Sequence, residues 1–113
     1  NNRRFAPNDE RIYWLTKEIE QKHKWNQESV TQFSVWNIAP KHAPNHPCPF
    51  PIEIPTRCIA ATTDEGDMVF DPYCGSGTTM EAAKANGCNG IGSDINLEYC
   101  DATRRRLSQE VLF

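Results

Sequence analysis

A glycine turn between an apolar run and an alanine-rich run constrains the fold of this chain more than any other feature. Met68, Val69 and Phe70 lead into Asp71 and Pro72. Tyr73, Cys74, Gly75, Ser76 and Gly77 follow. Thr78 and Thr79 then open a stretch that closes at Gly87. The order is strand, tight loop, helix, which builds a nucleotide-type pocket at the carboxyl end of a parallel strand. The loop carries no lysine, so it is a poor cradle for a nucleoside triphosphate. It suits a small zwitterionic ligand bearing a ribose.

The remainder of the C-terminal half alternates in the same way. Residues 67–71 read as a strand, 78–86 as a helix, 90–95 as a strand and 97–112 as a helix. In the last of these, Tyr99, Thr103, Leu107 and Val111 recur about one turn apart. Gly87 is a helix stop. Alternation of this kind predicts parallel pairing with a right-handed crossover. Upstream, residues 52–62 read as a helix in which Pro55 is tolerated only because it falls in the first turn.

The N-terminal half reads differently. Residues 10–17 and 30–38 are rich in β-formers and are expected to pair as an antiparallel hairpin. The connection between them, 18–29, is polar and reads as an exposed excursion. Pro40, Pro44, Pro47, Pro49 and Pro51 lie within thirteen residues. So dense a proline run excludes a helix or a central strand and leaves a stiff extended segment.

Composition sets the remaining limits. The 113 residues fit one compact domain or part of a larger one. The start at Asn1 rather than methionine leads us to expect a portion of a longer protein. No apolar run approaches the roughly 20 residues of a membrane helix, and no secretory signal pattern is present. A formal net charge of −3 excludes a strongly basic nucleic-acid surface at whole-chain level. Five cysteines without a CxxC pair read as reduced thiols in a cytoplasmic protein.

Three motifs carry chemistry. Gly75 and Gly77 free the loop backbone, and its amides, with the first turn of the Thr78 helix, would receive an anionic group such as a carboxylate. Ser76, Thr78 and Thr79 add hydroxyls. A plain glycine turn is the alternative. Asp94 ends the next strand, nineteen positions after Gly75, near where such pockets place an acid on a ribose hydroxyl. The alternative is that Asp94 caps the final helix, a role better suited to Asn96. The third motif is His46-Pro47-Cys48-Pro49-Phe50-Pro51. Phe50 would be held out to cover an apolar ligand face, or it plugs the core of a plain linker.

Taken together, HPCPFP, DPYCGSGTT and GIGSDIN resemble the motifs of the exocyclic-amino DNA methyltransferases, which make N4-methylcytosine or N6-methyladenine. The resemblance is to the β-type order, with the catalytic motif first and the cofactor motifs last. Specific resemblance covers about residues 46–110; residues 3–18 match more loosely. It implies an α/β, partial S-adenosylmethionine-dependent methyltransferase (Rossmann-like) fold with an N-terminal β-hairpin. By this resemblance Phe50 and Pro51 flank the methionine part of S-adenosylmethionine. Asp71, Gly75, Ser76, Gly77 and Thr78 form the loop, and Asp94 anchors the ribose. Residues 46–113 would be the cofactor-binding half, and 1–45 the hairpin with a candidate DNA-contact excursion. Tyr73 stands where the family usually has phenylalanine, and Asp94 where it more often has glutamate. The family's Ser/Asp/Asn-Pro-Pro-Tyr/Phe/Trp tetrapeptide, which engages a flipped base, occurs nowhere in the chain. No catalytic residue is therefore assigned, and the chain is expected to be the C-terminal portion of such an enzyme, inactive alone.

Other features carry less. His42, His46, Cys48 and Cys58 match no zinc spacing, and no metal is expected. Trp14 and Trp36 fit strands and a core. Trp25 is the better candidate for DNA contact, with Lys22 and Lys24 beside it, though a solvated loop is the favoured reading of that stretch. Arg104, Arg105 and Arg106 read as the solvated face of the last helix. DNA is the expected partner of the complete enzyme. An RNA or small-molecule methyltransferase and a non-enzymatic remnant are the rival readings. The edge of the strand before the glycine loop is expected to be hidden by homodimerisation or a segment swap.

Overall fold

The computed structural model describes residues 9–17, 25–26, 34–42 and 49–109. Its elements are α1 (Glu53–Thr62), β1 (Met68–Asp71), α2 (Thr78–Ala85), β2 (Asn89–Gly92) and α3 (Leu97–Ser108). The alternation expected from the sequence is present, and β1 and β2 pair in parallel.

Helix α1 starts after the proline run. Pro55 takes its third position, where an amide would have no acceptor within the helix. Its absence from the ladder therefore costs nothing, and the Thr56 N–H reaches the Ile52 carbonyl at 3.1 Å. Pro55 and Ile59, one turn apart, are buried together with Ala61. The C-terminal end of α1 is closed twice. Thr63 donates its amide and its hydroxyl to the Ile59 carbonyl, at 2.9 and 2.7 Å. Asn26 then donates its amide to Ala61 O at 2.7 Å and its side-chain Nδ2 to Thr63 O at 2.7 Å and Ala60 O at 3.2 Å.

The parallel register pairs Val69 with Gly90, Phe70 with Ile91 and Asp71 with Gly92. Alternation puts Val69, Asp71, Gly90 and Gly92 on one face of the sheet. Helix α2 lies against that face. A Cβ on Gly92 would stand 2.9 Å from Cys74 Cβ and 3.2 Å from Met80 Cγ, so only glycine lets the loop and the helix come this close. Ile59, Ala82 and Ala83 form the core beneath, with Ile52, Val69 and Cys88 packed around it. The opposite face carries Met68, Phe70 and Ile91, all exposed, Phe70 by 63 %.

Helix α2 ends through a Schellman closure: Cys88 N–H bonds Ala83 O at 2.9 Å and Gly87 N–H bonds Lys84 O at 3.1 Å, with Gly87 at φ 69°. Helix α3 begins on Asn96, whose side chain accepts from Glu98 N–H, and it ends at Ser108 with Gln109 extended; the rest of the expected span lies outside the described residues. Strand β2 stops at Gly92, short of the expected 95. Ser93 makes the last ladder bond, to Asp71 O at 3.0 Å, and its own carbonyl turns to accept from Cys74 N–H at 2.9 Å. The chain leaves the sheet there to meet the loop.

The expected hairpin is not formed in its described parts. Residues 9–17 and 34–38 carry no strand; residues 30–33 lie outside the described residues. The reason is packing. Ile12, Tyr13, Trp14 and Leu15 are all exposed, Leu15 by 85 %, with no alternation between faces. β-propensity reflects a fit to a half-buried pleated surface, and these residues have none. Trp14 is accordingly not a core residue. It packs on Trp25 with ring centroids 5.5 Å apart. Trp36 is half-buried beneath the Arg57 guanidinium, 5.3 Å from its ring centroid.

Candidate functional site

The glycine loop is shaped from three directions. From β1, Asp71 Oδ1 accepts from Tyr73 N–H at 2.9 Å, an Asx turn that starts the loop. From beyond β2, Ser93 Oγ donates to Pro72 O at 3.0 Å. From α3, Thr103 Oγ1 donates to Gly75 O at 3.0 Å, and Arg106 donates to Ser76 O and Thr78 Oγ1, each at 3.3 Å. Gly77 sits at φ 87°, and a Cβ there would stand 2.6 Å from Thr103 Cγ2. Both the backbone angle and the close approach therefore require glycine.

Asp94 joins the strand end to the loop. Its Oδ2 accepts from Gly75 N–H at 2.9 Å and its Oδ1 from Asn96 N–H at 2.8 Å. It does not cap α3, since Asn96 does that. A carboxylate offers about four acceptor sites, so each Asp94 oxygen keeps one direction for a further donor. The side chain is only half-buried, which leaves it reachable. This arrangement meets the chemical demand of a vicinal diol.

The helix beside the loop supplies donors. The first bond of the α2 ladder runs from Glu81 N–H to Gly77 O at 2.9 Å, so the amides of Thr78, Thr79 and Met80 precede it. No side chain caps the Gly77 end. Arg106 forms an ion pair with Glu81, its side chain only 28 % exposed. A cation at the positive end of a helix is disfavoured by the helix dipole, and the Glu81 carboxylate offsets that.

Other expected contributors fare differently. Thr78 is 6 % exposed and its hydroxyl accepts from Arg106, so its side chain faces the protein. The Gly75 amide is taken by Asp94 and the Gly77 amide by Cys74 O at 2.8 Å, so neither is a spare donor. Ser76 is half-buried on the loop. Phe50 and Pro51 stand at the entry to α1, Phe50 37 % exposed and Pro51 O accepting from Ile54 N–H at 3.2 Å.

Burial pushes the Cys74 thiol up from its ordinary value, and the Asp71 carboxylate, Cys100 and Asp94 push it further. Burial alone raises Cys58. Cys58, Cys74, Cys88 and Cys100 are free thiols. Among the described residues, no group of three or more His, Cys, Asp or Glu could hold a metal ion. His42 is exposed, whereas His46, Cys48, Lys22 and Lys24 lie outside the described residues. No described helix is long and apolar enough to cross a membrane.

Two residues of the site escaped sequence reasoning. Thr103 was placed only on the periodic face of α3, and Arg106 was grouped with its solvated neighbours. The signal was available in the spacing: residues three apart share a helix face, so Arg106 follows Thr103 inward while Arg104 and Arg105 remain exposed.

A sequence model of a family described as DNA methylase matches residues 1–105. The orphan methyltransferase M.BamHII of Bacillus amyloliquefaciens is 37 % identical over 100 residues, covering 80 % of this chain and 38 % of its own. The type II methyltransferase M2.DpnII of Streptococcus pneumoniae is 34 % identical over 121 residues, covering 96 % of this chain and 45 % of its own. The crystal structure of the M1.HpyAVI-SAM complex superimposes with a TM-score of 0.68 at 26 % identity, covering 80 % of this chain and 46 % of that one. The chain thus spans under half the length of each of these relatives.

Proposed function

The chain belongs to the DNA methylase family, and from that premise we propose that residues 46–113 are the S-adenosylmethionine-holding portion of an enzyme that methylates an exocyclic amino group of adenine or cytosine in DNA. When bound, the cofactor supplies an activated methyl group on a sulfonium. The observation that carries the reading is Asp94, held between the Gly75 and Asn96 amides with one acceptor direction left on each oxygen.

In this reading Asp94 accepts from the ribose hydroxyls. The amides that precede the α2 ladder receive the methionine carboxylate. Phe50 and Pro51 cover the apolar part of the methionine chain, Asp71 sets the loop entry, and Gly75, Ser76, Gly77 and Thr78 line the loop with backbone rather than hydroxyl groups. Gly75 contributes by fixing Asp94 through its amide. The fit rests on the donor set: one carboxylate with spare acceptors and a run of spare amides match a ligand that carries both a diol and an anionic group.

These residues would fix the donor, while the groups that engage the base belong to sequence outside the chain. The missing Pro-Pro tetrapeptide supports that division. Such an enzyme must hold the methyl group in line with the acceptor nitrogen. The open sheet face at Phe70 and Ile91 supports self-association of the isolated chain.

The test is a filter assay with tritiated S-adenosylmethionine. A protein that joins this chain to a segment bearing the tetrapeptide labels DNA and leaves RNA unlabelled. The 113-residue chain alone labels neither. Labelling of RNA in preference to DNA, or of DNA by the chain alone, contradicts the reading.

A further inference from the structure

We propose that Thr103 and Arg106 of α3 are positioning residues that set the shape of the 75–78 loop and, through it, the affinity for S-adenosylmethionine; this rests on the cofactor reading above.

The two side chains lie one turn apart on α3 and reach the loop at Gly75, Ser76 and Thr78. Thr103 takes the Gly75 carbonyl at 3.0 Å, and Arg106 takes the Ser76 carbonyl and the Thr78 hydroxyl at 3.3 Å. A peptide unit whose carbonyl is held has its amide direction fixed as well, because the unit is planar. Holding Gly75 O aims the Ser76 N–H, and holding Ser76 O aims the Gly77 N–H. The Gly77 N–H then bonds Cys74 O at 2.8 Å, which closes the turn.

Thr103 also acts as a template. Thr103 is 8 % exposed, and its side chain fills the space that any Cβ on Gly77 would need. Gly77 is therefore pressed against α3 at a positive φ, and the loop cannot relax towards the helix. Arg106 is held in place by Glu81 of α2, so one guanidinium ties α3, the loop and α2 together. A charged donor makes stronger bonds than a neutral one, which suits Arg106 to hold a carbonyl and a hydroxyl at once.

The experiment combines calorimetry with S-adenosylmethionine and backbone-amide hydrogen exchange, on the full chain and four variants. Thr103→Val keeps the shape and removes the hydroxyl; Thr103→Ser keeps the hydroxyl. Arg106→Gln removes the charge and Arg106→Lys keeps it. Loss of one aiming hydrogen bond weakens binding by about five- to tenfold. We expect that weakening in Thr103→Val and Arg106→Gln, with recovery in Thr103→Ser. Arg106→Lys recovers in part, since one ammonium cannot reproduce the planar fork. Exchange quickens at the Gly77 amide, whose bond to Cys74 O closes the turn, while the β1 and β2 amides are unchanged. That local pattern is what a general loss of stability does not produce.

Equal affinity across all variants, beside normal binding by the unaltered chain, overturns this inference and leaves the cofactor reading intact. Absence of saturable binding by the unaltered chain overturns the cofactor reading and with it the affinity role. Unchanged exchange at Gly77 in the variants refutes the shaping role on its own.

Discussion

Residues 9–17 are rich in strand-forming side chains and β2 is Asn-Gly-Ile-Gly, yet only residues 68–92 build strands. In 68–92 every element finds an immediate partner. β1 pairs with β2 across one short helix, and glycines on β2 let that helix settle on the sheet. In 9–17 the apolar side chains stand in solvent and the backbone joins no ladder. Strand-forming side chains therefore do not by themselves make a strand, and a neighbouring surface to pack against can make one from glycines. Local closure is what makes a strand reading succeed here.

Several substitutions would break or sharpen that contrast. The largest effect is expected at Gly77. Gly77→Val adds a β-branched side chain at φ 87°, against Thr103, and should cost about 3 kcal/mol or more. A thermal melt followed by circular dichroism should lose its cooperative transition. A normal melt would mean that the loop is not tied to the fold.

Next comes Asp94. Asp94→Ala removes the acceptor of the Gly75 and Asn96 amides and should weaken S-adenosylmethionine binding by about tenfold or more, read by calorimetry. Asp94→Asn keeps one acceptor oxygen and should fall between. An unaltered isotherm in Asp94→Ala would separate the carboxylate from the site.

Asn26 ties the N-terminal half to the end of α1. Asn26→Ala removes two bonds to the carbonyls of Ala60 and Thr63 and should cost about 1–2 kcal/mol, seen as a lower midpoint in urea. By contrast, Trp14→Ala should cost within about 1 kcal/mol, since the residue is 55 % exposed. If Trp14→Ala proves the more damaging of the two, the N-terminal stretch is packed more firmly than its exposure indicates.

The smallest effect concerns Cys74. Its thiol is raised by burial and by the neighbouring carboxylates. The neutral form is therefore favoured in the folded state, so stability is intact below the ordinary thiol value. It declines as the pH rises from that value through the higher folded one. Cys74→Ser should flatten that alkaline limb of the stability curve.

What was legible in the sequence follows the same division. The strand–loop–helix–strand–helix order, the stop at Gly87, the cap at Asn96 and the freedom of Asp94 from capping all rest on contacts within a few residues. They could be read from local chemistry. The hairpin could not, because β-formers report a preference that only tertiary packing fulfils. The end of β2 at Gly92 escaped because Ser93 turns away to serve the loop, a contact with Cys74 from across the fold. Thr78 was read as a ligand hydroxyl, and Arg106 as a solvated charge. Local reading could not join the two, since Arg106 reaches Thr78 from a helix 28 residues away.

The central claim is that the 75–78 loop and Asp94 form one site for S-adenosylmethionine. Backbone-amide NMR of the 113-residue chain, titrated with the cofactor, tests it most directly. The account predicts saturable shifts concentrated at residues 75–80 and 94–96, with the amides of 9–17 unmoved. Saturation without movement at Gly75 and Asp94, or no movement anywhere at millimolar cofactor, would contradict it.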